Sequence, residues 1–471
     1  MTEEPMPSKK IVCLGGGSMY FGRVAIPRLV VAEGLAGSEI VLYDIDVERT
    51  ELVARHGRRL AEEAGTGMKV RASSDLADAV DGADFAISSI GGVGRSPGRI
   101  YESPVYARDM LISAKYGIYQ IIGDTCGPEA MMMAFRSIPV YMDICREMEK
   151  RCPDVVLLNH SNPMAIICRA MIKYTGIQRV VGLCHGVQSG ITHIARVLGI
   201  PPDELDVVWI GTNHYHWFTR VCHRGKDLFP ELKRRMAEYE HSKKEKMVAK
   251  LSEIYGYELA YADNHVIEFY PFLAQLPDGK SFPYNLGEEV RARHGTLYED
   301  FELKAEPETS EAERREWLGR YEEELRKVTL PEEPSDPVAK YWFHAAENTG
   351  SLIEAIALGR REVYIVNIPN KGSVPNLPDY AVLEVEGVTD SCGVRPVYMG
   401  EAPLPLKGIL EKRIAWQELV VDAGVKGDRK LALQALLLDE MAILPEKAEA
   451  MLGELLENSK EFLPQFFGKG R

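Results

Sequence analysis

The feature that most restricts the fold lies near the start of the chain. Ile11–Leu14 is a short apolar run that meets Gly15-Gly16-Gly17-Ser18, and a helix-like segment, Val24–Ala32, follows. A second apolar run, Ile40–Tyr43, ends in Asp44. Strand, glycine turn, helix, strand and acid in this order form the dinucleotide-binding arrangement of an open parallel sheet. The glycines let the backbone approach a pyrophosphate at a helix N-terminus. An acid at Asp44 can accept hydrogen bonds from ribose hydroxyls, which favours NAD over NADP. The turn has Gly-x-Gly at Gly15 and Gly17 but Tyr20 at the third glycine position, so taken alone it also fits a glycine-rich turn that holds no nucleotide.

The next segments continue the pattern. Val70 opens a third strand, Leu76–Val80 reads as a short helix, and Asp84–Ile90 is a fourth strand. That strand ends in Ser88, Ser89 and Gly91-Gly92, small residues that either lie along the cofactor, as in such a fold, or form a plain glycine-rich loop. A loop follows at Gly123–Pro128, then a helical pattern from Ala130 in which Met131, Met132 and Met133 are packing residues. Asp124 precedes this helix and either caps it or faces a metal.

The chemistry is expected past the ends of later strands. In an open α/β sheet, ligands sit outside the carboxyl ends of the strands. Asn159, Asn162, Cys184, His185 and His214 each follow an apolar, strand-like run. Cys184 and His214 offer one thiolate and one imidazole, which suit Mn²⁺, Fe²⁺, Co²⁺ or Ni²⁺. Two protein ligands leave positions open for a substrate. Ser189–Leu198 is helical, Val207–Ile210 is a strand, and a long charged and helical region runs from about 233 to 327. Within it, Asp263, His265 and Glu268 stand close together in ELAYADNHVIEFYPF. Glu362–Asn367 is a further strand, Asn370-Lys371-Gly372 a turn, and the chain from Ile409 is mainly helical.

Charge and cysteine usage exclude several classes. A net charge of −14 opposes a nucleic-acid or anionic-membrane surface, which needs clustered Lys and Arg. No apolar run approaches the roughly 20 residues of a membrane helix, and the polar N-terminus has no apolar signal core. Eight cysteines without a Cys-x-x-Cys pair point to reduced thiols in the cytoplasm. The expected architecture is α/β, with a Rossmann-type dinucleotide-binding domain over residues 1–195. A mixed α+β domain for substrate, metal and oligomerisation would cover residues 196–471.

Several ordered motifs carry a family resemblance. They are GGGS at Gly15–Ser18, YDID ending at Asp46, GDTCGPEA around Asp124, and LNHSNPM around Asn159–Met164. VGLCHGVQ around Cys184, GTNHYHW around His214 and NIPNKG at Asn367–Gly372 complete the set. From Ile11 to the C-terminal helices the chain resembles family four of the glycoside hydrolases, glycosidases that depend on NAD and a divalent metal. The resemblance implies a lactate/malate dehydrogenase-like architecture and a homodimer or homotetramer. It implies that Gly15, Gly17, Ser18, Met19, Asp44 and Ser89 bind NAD, and that Cys184 and His214 hold Mn²⁺ or another divalent ion. Asn159, Asn162 and His185 would contact the sugar, with Asp124 supporting the metal.

The implied chemistry is redox-neutral. Hydride leaves C3 of the sugar for NAD⁺, a base takes the acidified C2 proton, the aglycone leaves C1, water adds, and the hydride returns. Asp263 is the first choice for the base and Tyr261 the second, while His185 could assist the leaving group or bind a hydroxyl. Members acting on 6-phosphosugars carry Asp or Asn after the metal-binding Cys. The Cys184-His185-Gly186-Val187 run instead resembles the α-galactosidase, α-glucosidase and α-galacturonidase branch. An α-glycoside of an unphosphorylated sugar is thus the expected substrate, with an α-hexuronide as the near alternative and Arg95 or Lys371 as candidate uronate clamps. Pro128-Glu129-Ala130 departs from the usual Pro-Gly-Gly. The rival of another class is an NAD-dependent dehydrogenase of a hydroxy acid or sugar.

Overall fold

A computed structural model describes residues 8–93, 103–239, 245–260, 262–276, 282–284, 286–294, 311–345 and 348–468. Its centre is a nine-stranded sheet. Six strands run parallel: β1 (Lys10–Leu14), β2 (Glu39–Tyr43), β3 (Lys69–Ser73), β4 (Phe85–Ser88), β5 (Val156–Asn159) and β6 (Val180–Gly182). Their spatial order is β3-β2-β1-β4-β5-β6, which is the Rossmann order. Residues of β4, β5 and β6 are buried on both faces, as a parallel sheet covered by helices on each side requires.

Strands β7 (Asp206–Thr212), β8 (Tyr215–His223), β9 (Lys226–Asp227) and β10 (Glu258–Ala260) form a second, antiparallel sheet, ordered β10-β8-β7 with β9 on β8. Strands β11 (Val363–Pro369), β12 (Val382–Asp390) and β13 (Gly393–Pro396) then return to the first sheet and extend it antiparallel beyond β6. A division at residue 195 therefore runs through one continuous sheet. The sequence pattern did not show β12 and β13, because an antiparallel edge contributed from far along the chain needs no local crossover helix.

Local chemistry sets the helix ends that matter. Asp46 accepts from the Arg49 N–H and caps the helix Val47–Ala64, which ends on Gly65 in the left-handed conformation. The helix Gly127–Arg151 starts with Pro128 in its first turn and with Cys126, not Asp124, at its N-cap. It lies against the helices Met164–Tyr174 and Leu404–Lys426, so the C-terminal part of the chain packs on the first sheet's cover. Among the described residues, no helix is long and apolar enough to cross a membrane.

Candidate active site

The glycine turn forms one wall of a cleft at the carboxyl ends of β1, β2 and β4. Gly15 has φ +81°, and a Cβ there would lie 2.3 Å from the Ser89 carbonyl oxygen. Only glycine fits, for both backbone and space. The Gly17 and Asp46 N–H groups donate to the two carboxylate oxygens of Asp44, each at 3.0 Å. The Ser18 and Ser89 hydroxyls stand 3.1 Å apart. Met19 beside them packs against the core. A cavity of about 850 Å³ begins here, lined by Gly15, Ser18, Asp44 and Ser89, and runs to His160, Ser161 and Asn162. Its size and its glycine-and-acid end fit a dinucleotide.

Asn159 and Asn162 have different surroundings. The Asn159 amide is fully buried: its oxygen accepts from Ser88 and Tyr141, each at 3.0 Å, and its nitrogen donates to the Ser161 carbonyl at 2.9 Å. It braces the strand end. Asn162 lines the cleft, precedes a cis bond to Pro163, and donates to Asp124 Oδ2 at 2.8 Å. Its Oδ1 is buried without a partner among the described residues.

Asp124, His214 and His265 bring one donor atom each within 4.8 Å of one another. A carboxylate and two imidazoles suit the same borderline divalent ions as the Cys-His pair. His214 sits at the β7–β8 turn with φ +62°, a conformation non-glycine residues seldom adopt. The Thr125 hydroxyl donates to Asp124 Oδ1 at 2.6 Å and lies 2.9 Å from His214 Nδ1. Burial pushes the Asp124 carboxyl up, but the His214 charge and hydrogen bond outweigh it, aided by His265, and hold it well below the usual range. Burial first, then the His214 charge, brings His265 down to about 3. Its imidazole is thus neutral at pH 7, the form that binds metals. Glu268 fixes the loop from behind, its carboxylate accepting from the Ile121, Ile122 and Gly123 N–H groups at 2.6 to 3.2 Å.

The remaining sequence candidates are spread around this group. Cys184, just past β6, is buried and accepts from the Gly186 N–H at 3.4 Å; it is not one of the three clustered residues. His185 occupies the N-cap position of the helix Gly186–Leu198 without a side-chain capping bond, its ring lies 5.9 Å from that of Trp342, and its charge reaches His265. Asp263 is buried and engaged elsewhere. Its carboxylate accepts from Met247 at 3.0 Å and Val248 at 2.8 Å, at the start of the helix Lys246–Tyr255. A base at Asp263 would have to give up those bonds. Tyr261 and Arg95 lie outside the described residues. Lys371 is exposed in the turn after β11. The sequence reading missed His265 as part of the cluster and Glu268 as the loop's anchor; their shared DNHVIEF stretch was the only signal.

A Rossmann-type α/β chain whose dinucleotide-sized cleft includes Asn162, the amide that bonds Asp124 of a three-residue, metal-capable group, has the layout of a cofactor-using enzyme. Residues 10–200 match the model of family 4 glycosyl hydrolases, and residues 209–442 match that of the family 4 glycosyl hydrolase C-terminal domain. The chain belongs to family 4 of the glycosyl hydrolases. An α-galactosidase of Bacillus subtilis is 28% identical, the match covering 97% of this chain and all of the relative. An α-galacturonidase of the same species is 29% identical, covering 95% of this chain and 97% of the relative. A 6-phospho-α-glucosidase from gut microorganisms, solved with NAD and Mn²⁺, has the same fold at a TM-score of 0.71. It is 24% identical and matches 98% of this chain and all of that one.

Proposed function

We propose that this glycosidase cleaves an α-glycoside of an unphosphorylated hexose, an α-galactoside first, with NAD and a divalent metal such as Mn²⁺. One observation carries the reading. The glycine-turn cleft ends at Asn162, and the same Asn162 amide holds Asp124 of the metal-capable group. Nucleotide and metal would therefore share a wall, with a sugar between them. Bound NAD supplies a hydride acceptor and donor, and a bound metal a Lewis acid.

The chain's own residues do the positioning. Asp44 would hold the ribose hydroxyls, and the Gly15–Ser18 backbone the pyrophosphate. Cys184 and His214 are the expected ligands, with Asp124 and His265 completing or supporting the set. The Asn162 Oδ1 can accept from a sugar hydroxyl. Tyr261 takes the C2 proton in this reading, ahead of Asp263, whose carboxylate already serves backbone N–H groups. His185 would protonate the departing oxygen. His185 after Cys184, together with relatives named α-galactosidase and α-galacturonidase, supports a sugar without a phosphate.

A second reading, an α-hexuronide, is favoured by Arg293, whose charge is felt at His265 and which could meet a uronate. The eight cysteines, none of them disulfide-bonded, suit a reducing cytoplasm, while a homodimer or homotetramer rests on the family resemblance. The test is release of nitrophenol from α-galactoside, α-glucoside and α-galacturonide substrates, each with and without NAD⁺ and Mn²⁺. Release that needs both additives, without stoichiometric NADH, is the expected result. Steady NADH build-up without bond cleavage would instead reveal a dehydrogenase.

A further inference from the structure

Two of the sequence motifs, GTNHYHW and NIPNKG, contain residues that the site described above does not use. The sheet register joins them. Gly182 on β6 pairs with Asn367 on β11, and Asn367 pairs with Glu384 on β12. Asn367 Nδ2 donates to Glu384 Oε1 at 3.3 Å. Glu384 Oε2 in turn lies 3.4 Å from His216 Nδ1 on β8, in the other sheet, while Trp209 on β7 donates to the Glu384 carbonyl at 2.8 Å. The line starts two residues before Cys184 and ends two residues after His214.

Asn367, Glu384 and His216 are all 0% exposed. Burying a carboxylate and an imidazole is costly, and an apolar contact would pack the sheets together without that cost. The line also holds unspent hydrogen-bonding capacity. His216 Nδ1 and Nε2, Glu384 Oε2 and Asn367 Oδ1 make no hydrogen bond among the described residues, although folded proteins leave few such atoms buried. A polar contact of this kind accepts one register, whereas an apolar one can slide.

We propose that Asn367, Glu384 and His216 are positioning residues that set the separation of Cys184 and His214 for a shared divalent ion. The inference rests on those two residues being ligands. Cys184 follows a three-residue strand whose pairing to β11 is the single Gly182–Asn367 step. His214 stands at the tip of a hairpin in a different sheet. No ladder joins the two strands, and Glu384 bridges the two sheets through Trp209 and His216.

The experiment titrates Mn²⁺ by electron paramagnetic resonance, and NAD⁺ separately, in the parent, Cys184→Ser, Glu384→Gln and Asn367→Ser. The expected Mn²⁺ affinity falls at least 100-fold in Cys184→Ser and about 10-fold in both Glu384→Gln and Asn367→Ser, the lower end of the range for groups that orient ligands. NAD⁺ affinity stays within about twofold throughout, since none of Asn367, Glu384 and His216 lines the cleft. Parent-like Mn²⁺ binding in Glu384→Gln, with Cys184→Ser impaired, overturns the inference alone. Parent-like binding in Cys184→Ser overturns the ligand reading itself. Equal losses of Mn²⁺ and NAD⁺ in Glu384→Gln would mark general destabilisation and also overturn the inference. Should Glu384→Gln fail to fold, Asn367→Ser decides: selective loss of Mn²⁺ supports the role and parent-like affinity refutes it.

Discussion

Replacing Glu268 with Gln tests the loop anchor through the pH dependence of stability. Glu268 is 2% exposed and accepts from three backbone N–H groups. Burial pushes its carboxyl from 4.5 up to about 7, the N–H bonds opposing only part of that rise. Between those values the folded chain keeps a proton that the unfolded chain has released. The stability this proton confers is complete below about 4.5 and is lost as the pH rises through about 7. A gap of that width is worth about 3 kcal/mol. A chain of this length has an unfolding entropy of about 1 kcal/mol/K, so the contribution is about 3 °C in Tm. Glutamine cannot titrate. Scanning calorimetry of metal-free protein at pH 5 and pH 8 should therefore show a Tm difference about 3 °C more favourable to high pH in Glu268→Gln than in the parent. Glu258, pushed up by burial to about 8, and His265, brought down to about 3, titrate in both proteins and cancel in the comparison. An unchanged pH difference in the variant would refute the assignment of this proton to Glu268.

Further substitutions separate the cleft from the metal-capable group. Gly15→Ala should weaken NADH binding at least 10-fold in a fluorescence titration, since its Cβ would meet the Ser89 carbonyl at 2.3 Å in a backbone conformation that also strains alanine by about 1 kcal/mol. Asp44→Ala should lower NAD⁺ affinity about 10-fold and shrink the preference over NADP⁺, measured by parallel titrations. Cys184→Ser should abolish Mn²⁺-dependent turnover while leaving NAD⁺ binding intact; full turnover would remove it from the ligand set. Asp263→Ala should cost about 1 kcal/mol of stability through the lost cap and reduce kcat less than Tyr261→Phe; the reverse order of kcat would return the base to Asp263.

The parts that could be read in the sequence were those with a local physical cause. The glycine turn, Asp44 and the first strands follow from periodicity and from φ values only glycine tolerates, so their places came out as expected. Cys184, His185 and Asn162 could be placed at strand ends because ligands of open sheets gather there, and His214 follows an apolar run that proved to be one arm of an antiparallel hairpin. What could not be read was direction. Asp263 and His265 are two residues apart, yet one carboxylate turns to the Met247 and Val248 N–H groups while the imidazole turns to Asp124 and His214. Asn159 and Asn162 share a motif, yet one is spent inside the strand end and the other faces the cleft.

These outcomes depend on groups far away in the chain. The start of the helix Lys246–Tyr255 presents unpaired N–H groups that capture whichever acceptor is near, and Asp263 is that acceptor. With its carboxylate taken, the same short segment presents His265 to the loop that Glu268 holds. One helix start thus decides which residue of DNHVIEF can do chemistry, and no pattern within that stretch contains the information. The same holds for β11 to β13, which reach the first sheet only because β6 leaves an edge with unpaired N–H and C=O groups. Covering that edge brings Asn367 and Glu384 behind Cys184. A chain lacking this return could still form the nucleotide cleft, but the separation of its two metal-ligand candidates would no longer be set.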